Sequence, residues 1–277
     1  MTKTSLQFRI ARHVILMTAA LLFLMPFIWM VLTSLKPADE IFTSEIRLLP
    51  THFAALENYS LALTKVPLLR YLGNGILVCT GILLLQILVA LPAAYAFAKI
   101  SFWGKAWSWR LVMLALMVPY QATAIPLYMM LHRAGLLDSY AALIMPFSVS
   151  AFGIFLMRQF FRTVPDDLIH AARMDGMGEL EIVWRVMLPT AMPALIAFSI
   201  FSVVWHWNDY FWPLLVINSP DLATPPLGTM FFRNEEAGSA FGPLMAGTVL
   251  ITAPLVLVFV LAQKRFIEGV TLTGVKG

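Results

Sequence analysis

Six long stretches of this chain contain no Asp, Glu, Lys or Arg: residues 14–35, 71–98, 111–131, 139–157, 186–208 and 237–263. A hydrocarbon layer about 30 Å thick takes roughly 20 apolar residues of helix to cross, and the stretches meet or approach that length. Buried helices of a soluble core would need a charged shell around them. Only 12% of the residues are charged and 60% are hydrophobic, where soluble domains average about 25% charged. The stretches therefore read as six transmembrane helices of an all-α membrane protein. The same composition excludes disorder, and Cys79 as the single cysteine excludes a disulfide scaffold.

The distribution of charge sets an expected topology. With both termini inside, the inner segments carry 13 of the 19 basic residues, among them Lys99, Lys105, Arg110, Arg158, Arg162, Arg173 and Arg185. The outer segments keep six: Lys36, Arg47, Lys65, Arg70, Arg133 and Arg233. Such an excess of Lys and Arg marks the cytoplasmic side. It also accounts for the pI near 9.3 without nucleic acid. The first stretch is longer than a signal-peptide core and lacks a clear cleavage site, so it reads as an uncleaved helix. Two tryptophan clusters, Trp103, Trp107 and Trp109, and Trp205, Trp207 and Trp212, fit interfacial belts or ordinary packing.

The chain shows no evident energy source of its own. Ionisable residues inside spans commonly mark proton or ion pathways; here only Asp209 and His206 come near, at the expected outer end of the fifth span. A phosphate-binding G-x-x-x-x-G-K-[ST] loop is missing from the sequence, the tail Gly269…Gly274-Val275-Lys276-Gly277 being only a near miss. The five histidines are scattered, with no metal-ligand spacing.

Residues 158–190, between the fourth and fifth spans, are organised beyond the needs of a connector. Pro165 suits a helix start, and Asp166 and Asp167 fall where the helix dipole favours negative charge. Leu168, Ile169, Ala171, Ala172 and Met174 continue a short helix that Asp175-Gly176 ends, with glycine free to take a left-handed cap. Leu180, Val183, Trp184 and Met187 then fall on one helical face, and Leu188-Pro189 is expected to stop the segment at the membrane. The slim Ala171-Ala172 pair suggests close approach by another backbone. Docking onto a partner and lying on the lipid surface both remain open on this pattern.

The run His170-Ala171-Ala172-Arg173-Met174-Asp175-Gly176, with Leu188-Pro189 downstream, resembles the EAA motif of bacterial ABC importer permeases. Phe160-Phe161-Arg162-Thr163-Val164-Pro165, Leu136-Leu137-Asp138-Ser139-Tyr140-Ala141 and Trp207-Asn208-Asp209-Tyr210-Phe211-Trp212-Pro213-Leu214 are similar to segments of MalG-like permeases of carbohydrate importers. Three positions depart from the pattern: His170 replaces its Glu, Met177 a small residue, and Val183 an aromatic.

The resemblance implies a type I ABC importer permease fold in the bacterial inner membrane. Residues 1–35 would form an N-terminal segment and first helix, 36–70 a periplasmic loop, 71–264 the permease core and 265–277 a cytoplasmic tail. It implies a chain that is not itself an enzyme and binds no cofactor, ATP and Mg being held by two partner ATPase subunits. The other implied partners are a second homologous permease and an external solute-binding protein. The coupling residues would be His170, Ala171, Ala172, Asp175, Gly176, Leu180, Leu188 and Pro189. Asn74, Gln86, Gln121, Thr123 and Asn208 are candidates for facing a sugar-like solute or for helix–helix hydrogen bonds. The loop 218–240 would reach toward the binding protein or serve as a plain proline-rich connection. A stand-alone secondary carrier is the alternative reading.

Overall fold

The computed structural model describes residues 6–43, 47–232 and 241–271, and every regular element among them is helical. From the N-terminus, α1 (Leu6–Ser34) is followed by a short α2 (Ala55–Thr64) and the long α3 (Leu68–Lys99). Two helix pairs come next: α4 (Lys105–Met117) with α5 (Tyr120–Arg133), and α6 (Tyr140–Ile144) with α7 (Ala151–Phe161). A hairpin of α8 (Asp166–Met174) and α9 (Glu179–Ile182) follows. Its second arm runs through a π turn, Val183–Met187, into α10 (Leu188–Thr190) and then α11 (Met192–Trp207). The short α12 (Phe211–Val216) and α13 (Pro225–Gly228) precede the last helix, α14 (Phe241–Thr271).

Three of these helices are long and apolar enough to cross a membrane unaided: α1, α3 and the Phe241–Leu261 part of α14. The remaining expected spans are bent pairs rather than straight helices. The bends are 101° between α4 and α5, 41° before α7 and 87° between α10 and α11, and the spans number six when each pair counts as one. The first four residues of the sixth expected span, 237–240, lie outside the described residues.

Proline explains where two of the bends fall. Val118, ahead of Pro119, is forced out of the helical region (φ −82°, ψ 119°). Pro189 and Pro193 each lack an N–H, so two rungs four residues apart are missing from the helix ladder. Ala191 sits between them at φ −94°, ψ 8°, its N–H shared by the carbonyls of Met187 and Leu188 at 3.1 Å. The break therefore comes at Ala191, not at Leu188-Pro189 as the sequence suggests.

The chain forms two compact units, one of residues 1–68 with 229–253, the other of residues 69–228 with 254–277. In the first, buried Asn58 donates to the carbonyls of Ser34 (2.9 Å) and Lys36 (2.8 Å), tying α2 to the end of α1. Gly242 packs on the same amide so closely that a Cβ there would meet Asn58 Oδ1 at 2.5 Å. From Phe8 to Phe27, α1 carries a nearly continuous exposed apolar surface, which water does not favour. In the second unit, the core gathers Leu91, Ala94 and Tyr95 of α3, Met157 and Phe161 of α7, and Ile169, Ala172, Ile182, Val183 and Met187 of the hairpin. The hairpin is thereby packed onto α3 and α7.

Candidate functional site

The hairpin turn is a complete Schellman cap. Gly176 takes the left-handed conformation (φ 84°). Its N–H bonds to the Arg173 carbonyl, and the Met177 N–H to the Ala172 carbonyl, both at 3.0 Å. This is the double bond pattern that closes a helix and reverses the chain. Met177, one of the departures from the resembled motif, fills the apolar position of that cap and packs against the core. Pro165 is the residue before α8, and Asp166 its first.

Two polar clasps fasten the hairpin to the C-terminal end of α3. Lys99 Nζ donates to the Val164 carbonyl (2.5 Å) and to Asp166 Oδ1 (2.6 Å). Hydrogen bonding and charge from Lys99 hold the Asp166 carboxyl below its ordinary range. The buried Tyr95 donates its hydroxyl to Glu179 Oε2 at 2.6 Å. Arg173 grips the same carboxylate from the other side, Nε to Oε1 at 2.9 Å and a terminal nitrogen to Oε2 at 3.2 Å. The bonds from Arg173 and Tyr95 keep Glu179 ionised below the usual carboxylate range. The sequence assigns this clasp to none of Tyr95, Lys99, Arg173 and Glu179, although Lys99 and Arg173 enter its count of inner basic residues. Charge spacing makes Arg173 and Glu179 plausible partners across the turn, but nothing local places Tyr95 beside them.

The two alanines do not share a face, which corrects the expectation of one slim face. Ala172 is buried with Ile169 in the core, whereas Ala171 is exposed. Leu168, Ala171 and Met174 recur at helical spacing on the outside. Leu180 also differs from its expected place: it is 65% exposed, while Ile182, Val183 and Met187 are buried. The π turn is the reason, since its i→i+5 bonding inserts a residue and rotates the apolar stripe. His170, Asp175 and Pro189 are exposed and Leu188 is half-buried. The hairpin thus presents Leu168, Ala171, Met174 and Leu180 outward from a clasped base.

Residues 86–271 match the family described as binding-protein-dependent transport system inner membrane component. The chain belongs to this family. It is 32% identical over 254 residues to the arabinooligosaccharides transport system permease protein AraQ of Halalkalibacterium halodurans, with 91% of each chain covered. It is 31% identical over 260 residues to the lactose transport system permease protein LacG of Rhizobium radiobacter, covering 94% of each. Among solved structures, a chain of a bacterial ABC transporter involved in the import of the acidic polysaccharide alginate superposes with a TM-score of 0.84 at 26% identity. That match covers 96% of this chain and 100% of the other. The fold is that of an ABC importer permease, and the two relatives named are permease proteins of sugar transport systems.

The five polar residues expected to face solute separate into two groups in this permease. Asn74 is buried, donating to the carbonyls of Asp221 and Ala223 at 2.9 Å and accepting the Tyr140 hydroxyl at 2.7 Å. Gln86 is buried too, donating to the Phe147 carbonyl at 3.0 Å and accepting the Ser202 hydroxyl at 2.6 Å. Both amides serve the fold, as interhelical polar groups commonly do. Gln121 and Asn208 are exposed, and Thr123 is half-buried with its hydroxyl donated to the Tyr120 carbonyl at 2.7 Å. The Tyr120 hydroxyl reaches Asp209 Oδ1 at 3.3 Å, so Gln121 and Asn208 flank one contact between α5 and the end of α11.

The described part of the proline-rich loop is pinned, not free. Asp138, in the left-handed region at φ 55°, accepts the backbone N–H groups of Asn218 and Ser219 at 2.9 Å and the Ser219 hydroxyl. Those bonds hold its carboxyl below the ordinary range. A Cβ on Gly75 would lie 2.7 Å from Pro225, and one on Gly228 only 2.1 Å from the Tyr71 ring. Residues 233–240 of this loop and 272–277 of the tail lie outside the described residues.

Proposed function

We propose that this chain is one permease subunit of an ATP-driven, binding-protein-dependent importer for a sugar or sugar-like solute. It forms half of the pathway, and a second homologous permease forms the other half. The α8–α9 hairpin lies in the cytoplasm with both termini, as the positive-inside count favours. There Leu168, Ala171, Met174 and Leu180 seat in one of two partner ATPase subunits, which bind ATP and Mg. His170 and Asp175 contact the rim of that seat. A solute-binding protein delivers solute on the far side of the inner membrane.

The observation that supports this reading most is the hairpin's combination of an exposed apolar strip with a clasped base. Force applied to the strip passes through Lys99 and Tyr95 into the C-terminal end of α3. ATPase closure then biases a two-state, inward- and outward-facing permease. Gln121 and Asn208, the exposed members of the polar set, are the proposed solute contacts.

Gly176→Val tests the coupling. A β-branched residue at positive φ costs about 1–2 kcal/mol of backbone strain, and open space around Gly176 rules out a clash as the cause. In the assembled complex, uptake should fall while basal ATP hydrolysis persists. Unchanged uptake with an intact complex would refute the coupling role. Uptake by this chain alone, driven by an ion gradient, would favour the secondary carrier.

A further inference from the structure

A pocket of about 440 Å³ lies beside the C-terminal end of α3 and between α4 and α7, lined by Phe97, Lys105, Ala106, Trp109, Arg110 and Arg158. Half of the lining is cationic. The Arg158 guanidinium lies over the Trp109 ring, 3.8 Å from its centroid, and its Nε donates to the Phe97 carbonyl at 3.1 Å. Lys105 Nζ donates to the Ile100 carbonyl at 2.7 Å. Arg162 stands close enough to add its positive potential at both Lys105 and Arg158. Among the described residues, no carboxylate forms an ion pair with Lys105, Arg110, Arg158 or Arg162.

Like charges converging on an aromatic-walled cavity call for an anion, because the low dielectric strengthens their repulsion. The neighbourhood points to the source of that anion. Trp103 is 100% exposed and Trp107 is 63% exposed, next to the pocket's lysine in the chain. Exposed indoles at a helix end mark the level of lipid headgroups. The remaining walls, Phe97, Ala106 and Trp109, suit glycerol and the first acyl carbons better than a hydrated free ion.

We propose that this pocket binds the phosphate of an anionic phospholipid, held by Lys105, Arg110 and Arg158. Basic pockets between membrane helices bind lipid headgroups in this way, each cation near the anionic surface adding about 1 kcal/mol. The bound lipid bridges α3, α4 and α7, of which α3 and α7 carry the base of the hairpin. The assignment does not depend on the solute or on the coupling mechanism.

The test counts lipids retained by the assembled transporter after transfer into phosphatidylcholine nanodiscs doped with phosphatidylglycerol, by native mass spectrometry. The wild type should retain phosphatidylglycerol in preference to phosphatidylcholine. Lys105→Gln and Arg110→Gln should each weaken that preference about fivefold. Arg12→Gln, which removes the same charge from an exposed position on α1, should leave it unchanged. The measurement rests most on Arg110, because Arg158 also secures Phe97 and Lys105 also secures Ile100, and matched melting curves confirm that the variants are folded. Equal retention of both lipids, or an equal effect of Arg12→Gln, overturns the site. Displacement by millimolar inorganic phosphate assigns it to a soluble anion and overturns the lipid. Retention by the isolated chain but not by the complex means that a protein partner covers the pocket, which also overturns the proposal.

Discussion

At the N-terminal end of α3, Asn74 holds two backbone carbonyls and a tyrosine hydroxyl, all neutral groups. At the C-terminal end of the same helix, Tyr95 and Lys99 hold two carboxylates, one of them shared with Arg173. The two anchors, Asn74 and Tyr95, stand about 32 Å apart at 1.5 Å per helical residue. The first anchor is buried and closes a loop tightly enough that glycine is required beneath Pro225 and Tyr71. The second is edged by exposed charge, with the Asp166 side chain 70% exposed. A buried amide satisfied on every side resists change, whereas ion pairs at a surface are individually weak and readily remade. One helix is thus fixed at one end and held adjustably at the other, which suits a lever.

Breaking the fixed end should have the largest effect on stability. Asn74→Leu leaves two carbonyls and the Tyr140 hydroxyl without their buried partner, at about 1–3 kcal/mol for each unsatisfied group. The melting temperature of the purified chain should drop sharply, and Gly228→Ala should follow it by steric conflict with Tyr71.

The adjustable end should respond differently. Tyr95→Phe removes one hydrogen bond and leaves the Arg173–Glu179 pair, so the loss of stability should stay near 1 kcal/mol. Uptake per ATP hydrolysed should fall by much more than the melting temperature suggests. A proportional loss of ATPase activity and uptake would mean that Tyr95 merely supports the fold. Lys99→Met should act likewise, and Lys99→Arg should restore coupling in part.

Acid should distinguish the two ends at smaller amplitude. Asp166 and Glu179 both have folded-state pKa values held down by their partners. Their contribution is complete above the ordinary carboxylate range, about pH 4–4.5. It is lost as pH falls below that range through the depressed values. Melting curves should show this acid-side loss in the wild type, and it should shrink in Glu179→Gln. Asn74 carries no titrating group, so Asn74→Leu should keep the wild-type pH slope. The smallest stability change belongs to Leu180→Ser, because the side chain is mostly in solvent. Its effect should appear in co-purification of the ATPase instead.

Much of the hairpin was legible in the sequence because its signals are local. Gly176 follows a helix-length run and takes the left-handed cap such a glycine permits, and Asp166 lies in the first turn. The solute candidates were harder to read, because an amide in an apolar run has the same sequence signature whether it meets a ligand or a carbonyl. Only the arrival of Asp221, Ala223 and Tyr140 at Asn74, and of Phe147 and Ser202 at Gln86, separates the two uses. The outward turn of Leu180 escaped for a related reason. A helical wheel assumes one period, and the π turn at Val183–Met187 breaks it.

Charge-free length determined the class of solvent and the approximate spans, and the Lys and Arg count of the connecting segments the expected sidedness, since each is a sum over a window of residues. Tertiary structure decided which of those spans bend and by how much, which alanine faces inward, and that α3 is the helix to which the hairpin is clasped. The last of these depends on pairs such as Tyr95 with Glu179 and Lys99 with Asp166, separated by 84 and 67 residues. No local pattern encodes such a pair, because the energy of each contact exists only once the rest of the fold has brought its two members together.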